Sequence, residues 1–285
     1  MIIENIDIDK LHPFEEYPFK VIHDEAMGEL MVSIALGGVY TPLSVRPLDN
    51  GEFEIISGHR RYEACKMAGI DKVPAIIYEI SHDEATIVMV DDNLTQRAKI
   101  LPSEKAFAYK MKLDAMNHQG KRTDLTFSQL GKKSNGIEEM SKKTGDSKSQ
   151  IYRYVHLTYL KPEILDMVDQ GRIAFGPAVE ISYLGLEEQQ NLLTTMISEE
   201  ITPSLSQAQR MRKISEDRHL DADTILNILK EVKGNQVETI KIPAEIVQKH
   251  FQRFVSPREM QDFIAKAVEH YCLFLKNRER GNGAR

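Results

Sequence analysis

Ile55-Ile56-Ser57-Gly58-His59-Arg60-Arg61-Tyr62-Glu63-Ala64 is an apolar strand that passes through a glycine into a helix with two arginines in its first turn. Backbone N–H groups left unpaired at a helix start, together with the helix dipole, attract an anion, and a glycine lets that anion approach closely. Arg60 or Arg61 can add charge-assisted bonds, so phosphate is the natural ligand. The competing reading pairs both arginines with surface carboxylates, which are plentiful nearby.

Outward from this box the pattern alternates between strand and helix. Leu43-Ser44-Val45-Arg46 and Phe53-Glu54-Ile55-Ile56 flank Asp49-Asn50-Gly51, a composition suited to a tight hairpin. Met27, Leu30, Met31 and Ile34 share one face of a helix over 25–35, capped by Asp24 and stopped by Gly37-Gly38. Residues 60–68 read as a helix ended by Gly69, Val73 to Tyr78 as a strand, and Ser81-His82-Asp83-Glu84 as a capping box opening a helix to Asn93. The first hundred residues are therefore expected to be α/β. At the end of that last helix, Asp91-Asp92-Asn93-Leu94-Thr95-Gln96-Arg97 places carboxylates and an amide beside an arginine. Such a set can hold a divalent cation and a polyphosphate together, or be a polar helix end and nothing more.

After Pro102 the strand signals disappear. A helix is expected over 103–118, a mobile connection with one short helix inside it over 117–135, and helices from 137 to about 230 broken at Gly145, at Gly171, around Gly176-Pro177 and at Pro203. Within them, Met140 and Ser141 precede Gly145 by five and four residues, and Ile151 and Tyr154 follow it by six and nine. That is helix-turn-helix spacing, with apolar positions to lock two helices and a glycine for the turn. It leaves Ser147, Lys148, Ser149, Gln150 and Arg153 at the front of the second helix, where base edges and phosphates of a major groove would be met, with Lys142 and Lys143 near the DNA backbone. Any helical hairpin is the alternative. Near the C-terminus Val237 to Ile242 alternates like a strand, with helices expected near 244–254 and 257–276.

Composition agrees with this division. The chain has 285 residues, 28% of them charged, with a net charge of −6. Residues 1–100 carry a net −9, whereas 101–160 carry +5, which suits a local polyanion site in an acidic protein. Two distant cysteines, Cys65 and Cys272, give neither a disulfide framework nor a zinc site. No apolar run reaches the ~20 residues of a membrane span and no secretory leader is evident, so a cytoplasmic protein with no membrane association is expected.

In order and spacing these motifs resemble the ParB-type partition and nucleoid-occlusion proteins over about residues 3–200. The resemblance is carried by Gly38-Val39-Tyr40-Thr41-Pro42-Leu43-Ser44-Val45-Arg46-Pro47, Gly58-His59-Arg60-Arg61, Asp92-Asn93 with Arg97, Pro102-Ser103-Glu104-Lys105-Ala106 and the helix-turn-helix. It implies an α+β protein of three parts. These are a ParB/sulfiredoxin-like nucleotide-binding domain over 1–100, a helical DNA-binding domain over 101–220 with its helix-turn-helix at 137–157, and a C-terminal dimerisation region over 221–285. The strand and two helices of that last part look like a ribbon-helix-helix unit, with a plain helical hairpin as the alternative. The resemblance further implies that CTP closes a homodimer into a clamp on a palindromic DNA site, in association with the nucleoid or a plasmid and a ParA-type ATPase. Thr41, Pro42, Gly58, His59, Arg60, Arg61, Asn93 and Arg97 form the implied nucleotide-binding set, with Asn93 also toward Mg2+.

The departures are specific. His59 stands where the family box usually carries Glu, and an imidazole does not orient water as a carboxylate does, which leaves CTP hydrolysis open. Thr41 stands where Gln commonly precedes the proline, and one extra residue separates Asn93 from Arg97. A DNA-binding transcriptional regulator of a plasmid or mobile element, without a nucleotide cycle, is the alternative function. A sulfiredoxin-type reductase would need a cysteine inside the phosphate box, and none stands there.

Overall fold

The computed structural model describes residues 3–97, 99–122, 129–231, 244–251 and 256–282, in two compact units spanning 1–231 and 232–285. The first begins with a five-stranded sheet. β1 (Ile3–Asp7), β2 (Leu11–His12), β3 (Leu43–Pro47), β4 (Phe53–Ser57) and β5 (Lys72–Ile77) lie in the order β1-β5-β3-β4-β2. The β3–β4 hairpin is antiparallel, pairing Arg46 with Glu54 and Pro47 with Phe53, and Gly51 takes the positive φ of 81° its turn needs. β3 pairs parallel with β5, and the short β1 and β2 complete the edges. Neither edge strand was expected from the sequence, because Glu4-Asn5-Ile6-Asp7 and Leu11-His12 are too short and too polar to show a period.

α1 (Glu25–Gly37) and α2 (His59–Met67) cover one face of the sheet, burying Met27, Ile34, Leu43, Val45, Ile55, Cys65, Val73 and Ala75 in a single cluster. Asp24 caps α1 by accepting from Met27 N–H at 3.0 Å. α3 (His82–Gln96) starts at the Ser81/Glu84 capping box and packs Ala85, Met89 and Val90 with Phe14, Phe19 and Ile56. It runs three residues beyond the Asn93 expected from the sequence, since Leu94-Thr95-Gln96 contains no breaker.

The helical part is built from α4 (Pro102–Arg122), α5 (Gln129–Thr144), α6 (Lys148–His156), α7 (Pro162–Asp169), α8 (Phe175–Ile181), α9 (Leu186–Glu199), α10 (Leu205–Asp217) and α11 (Ala222–Lys230). The connection expected over 117–135, with one short helix inside it, carries more helix than that: α4 runs on to Arg122 and α5 starts at Gln129, because its Gln, Lys and Arg are polar but favour helices. Gly176-Pro177 stands just past the break expected around it, at a helix start. It lies in the first turn of α8, where proline has no ladder bond to lose. Leu157, Ile164, Leu192, Met196, Met211, Ile225 and their neighbours form the core of this part.

In the second unit, α12 (Ala244–Gln248) and α13 (Pro257–Asn282) pack through Val247 and Met260, with Phe251 and Ile264 against them. The strand expected over 237–242 lies outside the described residues.

Candidate nucleotide pocket and nucleic-acid interface

The phosphate-box glycine has the conformation its role requires. Gly58 is left-handed at φ 108°, and a Cβ there would lie 3.0 Å from Leu43 Cγ and 3.1 Å from an Arg61 guanidinium nitrogen. No side chain caps α2; the first ladder bond runs from Tyr62 N–H to the Gly58 carbonyl at 2.9 Å, so the N–H groups of His59, Arg60 and Arg61 precede the ladder. The two arginines have different surroundings. Arg61 donates to the carbonyls of Thr41 and Pro42 at 2.5 and 2.6 Å, drawing the Thr41-Pro42 turn onto the box. Arg60 lies 3.4 Å from Asp24 at the surface and is the cation available to a ligand.

His59 is buried, with 6% of its surface exposed. Its Nε2 accepts from Phe14 N–H at 3.3 Å, its ring stacks on Tyr17 with centroids 3.6 Å apart, and its Nδ1 has no partner among the described residues. Burial, with a smaller contribution from Arg97, lowers its pKa to about 3, so the ring is neutral.

Because α3 continues to Gln96, Asn93 and Arg97 lie one helical turn apart, and Arg97 Nε donates to Asn93 Oδ1 at 3.2 Å. That same oxygen accepts from the Tyr17 hydroxyl at 3.0 Å. Arg97 also lies 3.5 Å from Glu104, over the Phe19 ring, and 3.3 Å from the Lys20 carbonyl. Asp92 accepts from Ser57 Oγ at 2.7 Å, joining α3 to the strand that enters the box. The structure thus brings Gly58, His59, Asn93 and Arg97 together around Tyr17, a residue the sequence reading passed over. Its flanking pattern, Pro13-Phe14-Glu15-Glu16-Tyr17-Pro18-Phe19, was the available signal.

This set fits an anionic polyphosphate: an uncapped helix start, a glycine cradle a Cβ would fill, and arginines at both ends. It does not fit a magnesium ion at Asn93 as arranged, because the amide oxygen already accepts two bonds, one from a guanidinium. Among the described residues no group of three or more His, Cys, Asp or Glu side chains could hold a metal.

The helix-turn-helix is α5 and α6 about Gly145, at φ 76°. Met140 and Ile151 are fully buried against Tyr109 of α4 and Ile137. Tyr154 is partly buried and bridges this cluster to the larger helical core. The turn is fixed from below, as Tyr109 donates to Asp146 at 2.5 Å and Lys105 pairs with the same carboxylate at 2.6 Å. Neither anchor was singled out from the sequence. Ser147 caps α6 by accepting from Gln150 N–H at 3.2 Å, while Ser147, Lys148, Ser149 and Arg153 are exposed and Gln150 half-buried. Arg153 lies over the Phe175 ring at 5.0 Å and 3.4 Å from Gln150. Lys142 and Lys143 are exposed on the last turn of α5.

Comparison with known proteins bears on this geometry. Residues 1–94 match the ParB N-terminal domain. The chain is 33% identical over 190 residues to Stage 0 sporulation protein J of Bacillus subtilis, covering 67% of this chain and 60% of that protein. It is 28% identical over 197 residues to a nucleoid occlusion protein of Listeria monocytogenes, covering 69% and 63%. These alignments span less than two thirds of either relative. The C-terminally truncated chromosome-partitioning protein ParB from Caulobacter crescentus, solved complexed with CTP-gamma-S, is 25% identical, with a TM-score of 0.32, covering 64% of this chain and 92% of that one. No described helix is long and apolar enough to cross a membrane. With residues 1–94 matched and the similarity to these relatives continuing through the helix-turn-helix, the chain carries a ParB N-terminal domain and is similar to partition and nucleoid-occlusion proteins.

Proposed function

We propose that this protein is a site-specific DNA-binding partition protein that works as a homodimer on a palindromic duplex and binds CTP between residues 58–61 and 92–97. The observation that carries the DNA reading is the helix-turn-helix. Met140 and Ile151 are locked against Tyr109, while Ser147, Lys148, Ser149 and Arg153 remain exposed on one helix start. Gln150, Ser149 and Arg153 are the base-reading candidates, and Lys142, Lys143 and Lys148 the phosphate-facing ones.

At the nucleotide pocket, the N–H groups at the α2 start and the Arg60 guanidinium take the phosphates. Arg61 holds the Thr41-Pro42 turn against the box and Arg97 closes the other side. The cytosine identity of the base rests on the family resemblance. Mg2+ accompanies CTP in this proposal as an ion that neutralises phosphate oxygens and is carried by them. Closure of the dimer on DNA, docking of a ParA-type ATPase, residence on a nucleoid or plasmid, and dimerisation through 221–285 are parts of the same proposal, as is the three-part division 1–100, 101–220 and 221–285.

One observation favours a second reading, a DNA-binding regulator without a nucleotide cycle. His59, which occupies the family's usual glutamate position, is buried, neutral and tied to the Phe14 backbone. Calorimetry separates the two readings. CTP, ATP and GTP are titrated with Mg2+ into the wild type and Arg60→Ala, with and without a palindromic duplex enriched from a random library. Selective CTP binding lost in the variant supports the clamp; no nucleotide binding alongside intact duplex binding supports the regulator.

A further inference from the structure

Two of the three lysines placed to meet DNA phosphates, Lys143 and Lys148, are already engaged. Lys148 Nζ pairs with Glu138, a residue of the preceding helix. Lys143 Nζ lies 2.9 Å from Glu139 and 3.1 Å from Asp91. The first helix of the motif thus carries two consecutive carboxylates that occupy its own lysine and the lysine at the start of the recognition helix. Both carboxyls are held below their usual range by these lysines, and Lys143 is held above its own. The groups suited to reading base edges are treated differently. Ser149 and Gln150 are uncharged, and Arg153 leans on an aromatic ring and an amide, with no carboxylate bonded to it among the described residues.

Sequence-blind affinity for DNA comes almost entirely from lysines and arginines that neutralise phosphates and release counterions, whereas base contacts carry the specificity. A lysine that must give up a carboxylate to take a phosphate gains little by the exchange. We propose that Glu138 is a specificity-determining residue of the DNA interface: by holding Lys148 it withholds a cation from sequence-independent phosphate binding, and Glu139 with Asp91 does the same for Lys143. This inference rests on the DNA-binding reading above.

The test is a four-protein cycle of full-length wild type, Glu138→Gln, Lys148→Ala and the double variant. Binding is measured by fluorescence anisotropy to a random-sequence duplex and to a palindromic duplex enriched by the wild type, between about 50 and 200 mM salt. Both substituted positions are about half exposed, so the variants keep the fold. Glu138→Gln is expected to tighten random-duplex binding about two- to fivefold and to steepen the salt dependence by about 0.9 in log–log slope. The ratio of enriched-site to random-site affinity falls accordingly. In the Lys148→Ala background the same substitution is expected to change neither quantity, because the carboxylate acts through that lysine. An unchanged slope in Glu138→Gln, or equal tightening in both backgrounds, overturns the inference, the latter by making Glu138 a simple repulsive charge. If the wild type binds neither duplex, the DNA reading falls and takes this inference with it; wild-type binding with an inert Glu138→Gln removes the inference alone.

Discussion

Asp91 and Lys112 form one ion pair whose two halves are expected to differ widely when removed. Lys112, on α4, is fully buried, and Asp91 supplies the one side-chain bond it makes among the described residues. Asp91, at 21% exposed, has in addition Lys143 at 3.1 Å and some access to water. Asp91→Ala therefore strands an ammonium in the interior, at about 3–5 kcal/mol. Lys112→Met replaces the buried stem with a thioether of similar length and leaves Asp91 still paired, at less than about 1.5 kcal/mol. Urea unfolding of the full-length protein, followed by far-ultraviolet circular dichroism, measures both. With a denaturant slope near the upper end of the usual range, about 3 kcal/mol per molar, Asp91→Ala lowers the midpoint by about 1 M or more and Lys112→Met by less than about 0.5 M. The double variant is expected to recover most of the Asp91→Ala loss, since no unpaired charge remains inside. Equal shifts for the two single variants, or a larger shift for Lys112→Met, would refute the view that the desolvated lysine governs this contact.

Three further outcomes follow from the site geometry. Gly58→Ala meets both a left-handed backbone and a contact at 3.0 Å with Leu43; it is expected to cost about 1–3 kcal/mol in thermal unfolding and to abolish nucleotide binding in calorimetry. Gly145→Ala meets the backbone strain alone, with open space around the new methyl, so a loss of about 1–2 kcal/mol and weaker DNA binding without loss of fold are expected by melting and anisotropy. His59 is neutral when folded and has a pKa lowered from 6.5 to about 3, so between those values the unfolded chain binds a proton that the folded one does not. Stability is then unaffected above pH 6.5 and falls as the pH drops toward 3, by up to about 1.4 kcal/mol per pH unit; His59→Gln should flatten that part of a pH series of urea midpoints, and an unaltered profile would mean that other groups dominate acid unfolding.

What the sequence made legible was what short-range chemistry determines. The Asp49-Asn50-Gly51 hairpin, the Asp24 cap, the Ser81/Glu84 capping box and the Gly145 turn are each decided within a few residues, and each has the expected form in the structure. The helix-turn-helix interior was legible for the same reason, since Met140 and Ile151 are set by periodicity. Contacts that depend on residues far apart in the chain were not. Nothing local announces that Tyr17 will stack on His59 and reach Asn93, or that Tyr109 and Lys105 will both seize Asp146.

The same distinction explains how the site residues differ from their sequence reading. As a motif, Gly58-His59-Arg60-Arg61 is four consecutive ligands. Folded, it is divided: Arg60 faces outward, Arg61 turns back to hold the Thr41-Pro42 carbonyls, and His59 goes inward under Phe14 and Tyr17. α3 makes a similar division over three consecutive residues. Asp91 faces the buried lysine and the DNA-binding motif, Asp92 the phosphate-box strand through Ser57, and Asn93 the Tyr17 segment. Successive residues on a helix are separated by about 100°, so one turn of α3 can address three different surroundings. A rotation or shift of that turn would act on all three at once.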